Sequence, residues 1–474
     1  AIDLEEAKQL RVYDAPLHQH DPQLYIQILQ ELRSLYFEIG YYLKAFKIKQ
    51  EQHKIEHQYG FRAFIGAAQL QPQQQALNPV QDTLKMATVA HEIASASRQQ
   101  DINNLLERVS RNDYKLTVIH GHSGVGKSSM VNAGLVPALR QRAIGDRIVL
   151  PIVLSKYTNW NREVGVQLSE TNLNRMTTAS DTTHSSEIAE LSTSQLIEQL
   201  RDRISRNLLT LLIFDQFEDF FFTCPHESDR QPFYDFLCQC LNLPFVKVML
   251  LVREDYLHYL LEFDRLPNLE AIDRNILDKN HRYQLGNFSS EDARNIIQEL
   301  TQKTYFHLET DLIEQLVQDL SVELGQVRPI ELQLVGAQLQ EENITALSQY
   351  WLLGSQPKDK LVERSLVQMI RDCGAPNEKA AWKVLSTLVG EKNTRPMKTR
   401  QELATAIGES DRADDTHLPT LEDREQSQLD LILSIFEGSG LIFRHREESS
   451  DRYQLVHDYL VEPIRQRDEV NLAK

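Results

Sequence analysis

The stretch Gly121-His122-Ser123-Gly124-Val125-Gly126-Lys127-Ser128-Ser129 constrains this chain more than any other. A glycine, four free residues and then Gly-Lys-Ser is the spacing of a phosphate-binding loop. The flanks agree with it. Lys115–Ile119 is short and apolar enough for a buried parallel strand, and Ser128 onward reads as a helix. Glycines let the backbone curl and aim N–H groups at phosphate oxygens, and the helix N-terminus adds its positive dipole end. Gly121, Ser123, Gly124, Val125, Gly126, Lys127, Ser128 and Ser129 would then cradle the phosphates of ATP or ADP. Lys127 would reach the outer phosphates, and the Ser128 hydroxyl would ligate Mg²⁺. A plain glycine-rich turn is the poorer account of a loop whose strand and helix are both in register.

Around the loop, residues 77 to 288 alternate strand and helix patterns, the signature of an α/β doubly wound parallel sheet. The further strand candidates are Ile148–Leu154, Leu208–Phe214, Val246–Val252 and Tyr283–Leu285. A Ser- and Thr-rich surface excursion over 171–194 precedes a helix at 195–206. Residues 1 to 76 read as an all-helical arm, ending in the polar linker Gln71-Pro72-Gln73-Gln74-Gln75. Ser289-Ser290-Glu291-Asp292 is a capping box that opens a helical lid over 289–373. The remainder, 374–474, gives helices at Trp382–Leu388, Arg400–Ala406 and Leu429–Phe436, then strands at Leu441–Arg444 and Tyr453–Val456. Three helices and a hairpin make a winged-helix module, with an acidic loop at Asp411–Asp415, Glu422, Asp423 and Glu425.

Two strand ends carry candidate chemistry. Leu212-Ile213-Phe214-Asp215-Gln216-Phe217-Glu218-Asp219 puts an acid at the carboxyl end of a buried apolar strand, where such an NTPase holds its metal. Asp215 would bind Mg²⁺, and Glu218 or Asp219 would polarise the attacking water. A strand-end helix cap is the plainer account of Asp215, and the loop upstream favours the metal. The next strand ends Leu251-Val252-Arg253-Glu254-Asp255, placing Arg253 beside the γ-phosphate.

Together these residues resemble the STAND class of signal-transducing NTPases. The run Gly121–Arg140 resembles the bacterial branch that precedes WD or tetratricopeptide repeats, as do Asp215-Gln216-Phe217-Glu218-Asp219 and Arg253-Glu254-Asp255-Tyr256. Ala96-Ser97-Arg98-Gln99-Gln100-Asp101-Ile102 is similar to the Gly-Arg box before the first strand, with Ser97 in place of glycine. Arg328-Pro329-Ile330-Glu331-Leu332 resembles the lid motif whose proline packs on adenine. Tyr453–Leu460 resembles the segment whose histidine, here His457, reaches the β-phosphate of ADP. In the arm, Leu32–Phe46 matches one tetratricopeptide repeat, with Gly40 at its turn; an ordinary helical hairpin fits that stretch equally. The resemblance implies a switch rather than a metabolic enzyme. ADP is held in the resting form, slow hydrolysis and ATP exchange change the state, and release leads to a homo-oligomer in a signalling or bacterial defence pathway. The trigger would be sensed by regions outside this chain.

The remaining composition limits the alternatives. A formal net charge of −17 opposes a general nucleic-acid or anionic-membrane binder. It weighs against an AAA+-type DNA-binding or transcription-regulating ATPase that uses the winged helix, although Arg444, His445 and Arg446 lie at the wing before Glu447 and Glu448. Four cysteines show neither zinc spacing nor a disulfide framework, and a cytoplasmic setting is expected. No apolar run is long enough to span a membrane. The chain begins Ala1-Ile2-Asp3, without methionine, as a fragment of a longer protein would.

Overall fold

The structure is a computed structural model. It describes residues 5, 8, 11–12, 15–66, 98–173, 192–224, 226–266, 272, 275–321, 325–390, 395–408, 427–445, 451–457 and 460–472. The Gln71–Gln75 linker, Ser97, positions 174–191 of the Ser/Thr-rich excursion, the acidic loop, Glu447 and Glu448 lie outside the described residues. The chain divides into two compact units, residues 87–286, and residues 1–86 with 287–474.

The first unit is built on a six-stranded sheet. Its strands are β1 (Leu116–Gly121), β2 (Ala143–Ile144), β3 (Arg147–Leu154), β4 (Leu208–Phe214), β5 (Val246–Arg253) and β6 (Arg282–Gln284). Their order is β2-β3-β4-β5-β1-β6, parallel throughout except for the short edge strand β2. This is the mixed, mostly parallel sheet of a phosphate-loop NTPase. Every residue of β5 is buried, as the near-continuous Val and Leu runs of a sheet covered on both faces require.

Side chains alternate along each strand, so one face gathers Ile119, Leu209, Leu211, Ile213, Met249 and Leu251 under the Gln99–Ser110 helix and the helix after the loop. The opposite face holds an aromatic cluster. Phe214, Phe217, Phe220 and Trp160 surround Phe233 with ring centroids 4.5–5.6 Å away. Phe217 and Phe220, which follow Asp215, are therefore packing groups. The helix after the loop is not uniform: Lys127–Ser129 is α-helical, Met130–Leu135 is π-helical and Val136–Arg140 returns to α. Pro137, with no N–H to give the preceding turn, follows directly on the wider winding.

In the second unit, the arm differs from the all-helical expectation at its start. Arg11–Val12 pairs with Ala15–Pro16 as a two-residue antiparallel ladder. The residue before a proline is pushed toward extended backbone, which Ala15 obeys. The helices Pro22–Glu38 and Tyr42–Gln58 follow, joined at Gly40 with φ 86°. Asp21 caps the first by accepting from the Leu24 amide at 2.9 Å.

The Ser289 capping box forms, with its hydroxyl accepting from the Asp292 amide at 3.1 Å, and opens the Ser290–Gln302 helix. Helices Thr310–Leu320, Pro329–Glu341 and Pro357–Arg371 follow. The C-terminal module packs helices Glu378–Thr387, Arg400–Ile407 and Gln428–Gly438 against a three-stranded sheet. Its central strand Arg452–Leu455 pairs with Ile442–His445 and also with Lys398–Thr399, a third strand too short for a sequence signal. Among the described residues no helix is long and apolar enough to cross a membrane.

Candidate functional site

The loop leaves β1 at Gly121, which lies against the backbone that follows β6. A Cβ there would meet the Leu285 carbonyl oxygen at 2.3 Å, so this position accepts glycine alone. Gly124 and Gly126 then take φ of 80° and 89°, the left-handed backbone that turns successive N–H groups inward. Val125 is buried in the sheet core, while Ser123, Gly124, Gly126, Lys127, Ser128 and Ser129 remain half-exposed around it. Lys127 Nζ donates to the Gly121 and His122 carbonyls at 2.8 and 3.0 Å, folded back across its own loop.

β5 lies between β1 and β4, so Asp215 and the loop meet across an intervening strand. The Ser128 hydroxyl donates to Asp215 Oδ1 at 2.7 Å, and Asn132 Nδ2 donates to Oδ2 at 3.3 Å. Ser128 and Asn132 are four residues apart on one helix face. The hydroxyl of Tyr157 fixes the same residue from behind by donating to the Asp215 carbonyl at 2.7 Å. Asp215 is 1% exposed, and burial, with the Glu218 carboxylate adding, lifts its pKa to about 6 against the pull of the Ser128 hydrogen bond. Burial, with Arg253 adding, lowers Lys127 to about 8 despite the nearby Glu218 and Asp215.

Both groups are thus pressed toward their neutral forms. An anion beside Lys127 and a cation beside Asp215 would reverse both. The donor set fits a hard divalent ion, since the Ser128 hydroxyl and the Asp215 carboxylate are oxygen ligands already adjacent. Among the described residues no group of three or more His, Cys, Asp or Glu side chains stands ready to hold a metal.

Glu218 and Arg253 join the strand ends. Glu218 Oε2 accepts from the Arg253 amide at 3.3 Å, and both side chains are buried. Arg253 donates to Asp255 at 2.8 Å and lies over the Tyr256 ring at 5.1 Å, while its Nε has no partner among the described residues. Burial opposes its charge, but Glu218, Tyr256 and Asp255 outweigh that and raise its pKa. Asp219 is half-exposed, and its amide donates to the Gln216 carbonyl at 3.0 Å. Arg98 is a clamp on the loop, donating to the Val125 and Gly286 carbonyls at 3.0 and 2.6 Å and to Asp101 at 3.2 Å.

Pro329 and His457 belong to the other unit. Pro329 is a buried first-turn residue of the Pro329–Glu341 helix, and His457 is 5% exposed just after the Arg452–Leu455 strand. The sequence reading missed Asn132 and Tyr157. Asn132 was available from its helical spacing to Ser128, whereas Tyr157 reaches Asp215 only through strand order.

Comparison with known proteins adds the following. Residues 89–463 match the family model described as Novel STAND NTPase 1. An uncharacterized WD repeat-containing protein of Synechocystis sp. is 30% identical over 157 residues. That match covers 32% of this chain and 9% of the relative, so the chain spans only a small part of that relative's length. The fold is similar to that of the Walker-type ATPase PABY2304 of Pyrococcus abyssi, at 13% identity and a TM-score of 0.40 over 78% of this chain and 95% of that one. It is also similar to the Aeropyrum pernix ORC2 protein in its ADPNP–ADP complexes, at 13% identity and a TM-score of 0.38 over 87% and 100%. At that similarity neither structure speaks to what this chain binds. With a model match over most of its length, the chain belongs to the Novel STAND NTPase 1 family.

Proposed function

We propose that this chain is a nucleotide-dependent switch that binds ADP and ATP with Mg²⁺ at the Gly121–Ser129 loop and hydrolyses ATP slowly. The observation that carries the reading is the 2.7 Å hydrogen bond from the Ser128 hydroxyl to buried Asp215, with Lys127 folded over the same loop. When phosphates bind, Lys127 exchanges its loop carbonyls for phosphate oxygens, and the loop amides and helix N-terminus orient them. Mg²⁺, held by Ser128 and Asp215, would neutralise charge on the outer phosphates. Glu218, tied to the Arg253 amide, orients the attacking water, with Asp219 as the second candidate. Arg253 senses the γ-phosphate by leaving Asp255. Arg98 holds the loop in shape at Val125.

The helical domain 289–373 acts as a lid, with Pro329 against the adenine. The 374–474 domain is a winged helix whose His457 reaches the β-phosphate. The arm 1–76 is tetratricopeptide-like. Loss of the His457 contact frees the C-terminal domain, and the freed chain assembles into a homo-oligomer, in a signalling or bacterial defence role in the cytoplasm. Arg444 is committed to Asp451 and Arg400 to Asp430, which supports a protein-facing rather than a DNA-facing module. The test is nucleotide binding by Lys127→Ala, with wild type titrated by ADP and ATP in calorimetry. Abolished binding in the variant is expected, and unaltered affinity would remove the basis of the reading. Bound ADP in the purified protein, found by mass spectrometry, with turnover slower than exchange, would support a switch over a housekeeping ATPase.

A further inference from the structure

We propose that residues 42–66 form a strap that ties the Pro329–Glu341 helix to the C-terminal module, so that both are held or released together. Three aromatic side chains of this segment pack against glycines later in the chain. A Cβ on Gly374 would meet the Tyr42 ring at 2.3 Å, one on Gly438 would meet Phe46 at 2.6 Å, and one on Gly336 would meet Phe64 at 2.4 Å. Gly438 ends the Gln428–Gly438 helix and Gly336 lies in the middle of the Pro329–Glu341 helix. The two ends of the strap are therefore seated on different elements.

Polar contacts follow the same division. Toward the C-terminal module, Gln50 Nε2 donates to the Gly438 carbonyl at 2.7 Å, while Lys49 Nζ donates at 2.6 Å to Asp372, the residue that ends the Pro357–Arg371 helix just before that module. Phe46 joins the core of that module beside Leu433 and Phe436. Toward the lid helix, the stretch 61–66 has no helix or strand of its own. The Phe61 and Arg62 amides bond to the Glu56 carbonyl, and side chains of the lid helix satisfy the groups that follow. Gln340 Oε1 accepts from the Ala63 and Phe64 amides at 2.9 and 3.4 Å, and its Nε2 donates to the Phe61 carbonyl at 2.9 Å. Gln333 Oε1 accepts from the Ile65 amide at 3.1 Å, and Arg62 donates to Glu341 at 2.9 Å. The Tyr42–Gln58 helix is an unbroken rod between the two seats. The Ala63, Phe64 and Ile65 amides, bonded to side chains of the lid helix, tie the order of this stretch to docking, and the rod passes that order on.

The functional consequence rests on the clasp proposed above. With the strap docked, a nucleotide contact from Pro329 and one from His457 belong to a single body. Undocking leaves them joined through the Pro357–Arg371 helix, whose Leu366 and Ile370 enter the same core, and lets either be lost more readily alone. The strap itself is tested on the full chain by amide hydrogen exchange in wild type, Gln340→Ala and Gln50→Ala. Both variants remove polar contacts and leave the aromatic seats in place. Gln340→Ala is expected to raise exchange several-fold in 42–66, in Pro329–Glu341 and also in Gln428–Gly438, the far seat. Gln50→Ala, which loses the bond to the Gly438 carbonyl, is expected to do the same from the opposite end. A rise confined in each variant to the near seat would overturn the strap. ADP release measured in the same proteins is expected to quicken several-fold. Failure of wild type to bind nucleotide would sink the clasp alone and leave the exchange result to decide the strap.

Discussion

At the residue scale, the site tests whether its geometry is set by backbone or by side chains. Gly121→Ala would push a methyl group into the Leu285 carbonyl, a backbone atom with no freedom to turn aside. Overpacking of this kind costs about 1–3 kcal/mol. The variant is therefore expected to melt several degrees lower and to bind nucleotide weakly, checked by thermal denaturation and calorimetry. Ser128→Ala should leave the fold intact, since it deletes one hydroxyl from a half-exposed position. Its affinity for ATP in Mg²⁺ is expected to fall about tenfold, or about 1.4 kcal/mol, while affinity in EDTA stays near wild type. Equal losses with and without the metal would remove Ser128 from the metal site. Lys127, Ser128 and Asp215 were legible in the sequence because loop spacing and an acid at a strand end are local signals. Tyr157 and the Leu285 carbonyl were not. Each acts on the site from an element that only the strand order β3-β4-β5-β1-β6 brings near.

At the element scale, the strands β3 to β5 could be read from apolar runs because a sheet buried on both faces needs them. The arm was harder. Its helices show in the pattern, but the docking of the 61–66 stretch does not, since its partners Gln333, Gln340 and Glu341 lie far along the chain. The arm also has a pH dependence. Burial lowers the imidazole of His53 in spite of Glu341, with Arg62 and Lys49 adding to the effect. Burial likewise lowers His57, whose Nδ1 donates to the Arg62 carbonyl at 2.8 Å and whose Nε2 is buried without a partner among the described residues. A histidine with a depressed folded pKa contributes stability that is present above its unfolded value, near 6.5, and lost as pH falls through the folded one. Docking of 42–66 is thus expected to weaken between pH 7.5 and about 5.5, seen as faster amide exchange after correction for intrinsic rates. His57→Gln keeps a donor for Arg62 and cannot titrate, so its arm should lose less protection over the same interval. An identical pH profile in that variant would show that His57 has no part in the effect.

At the scale of the whole molecule, the question is how nucleotide identity becomes a change of assembly. A ligand that contacts two arrangements equally shifts neither, so the proposed switch needs a contact made in one state alone. His457 is the candidate. It is buried in the C-terminal module and directly follows the strand Arg452–Leu455. One charge-assisted hydrogen bond from it to a phosphate is worth about 1.5–3 kcal/mol, enough to hold a balance without locking it. Removing that contact in His457→Ala is therefore expected to speed ADP release by roughly tenfold or more. It should also move part of the protein to larger species in size-exclusion chromatography at the same concentration. The strand beside it should survive, because its pairing with Ile442–His445 and Lys398–Thr399 is main-chain. A circular-dichroism melt within a few degrees of wild type would show that the effect is not unfolding. Unchanged ADP retention and an unchanged elution profile would refute the His457 clasp while leaving nucleotide binding at Gly121–Ser129 standing, because Lys127→Ala tests that binding separately.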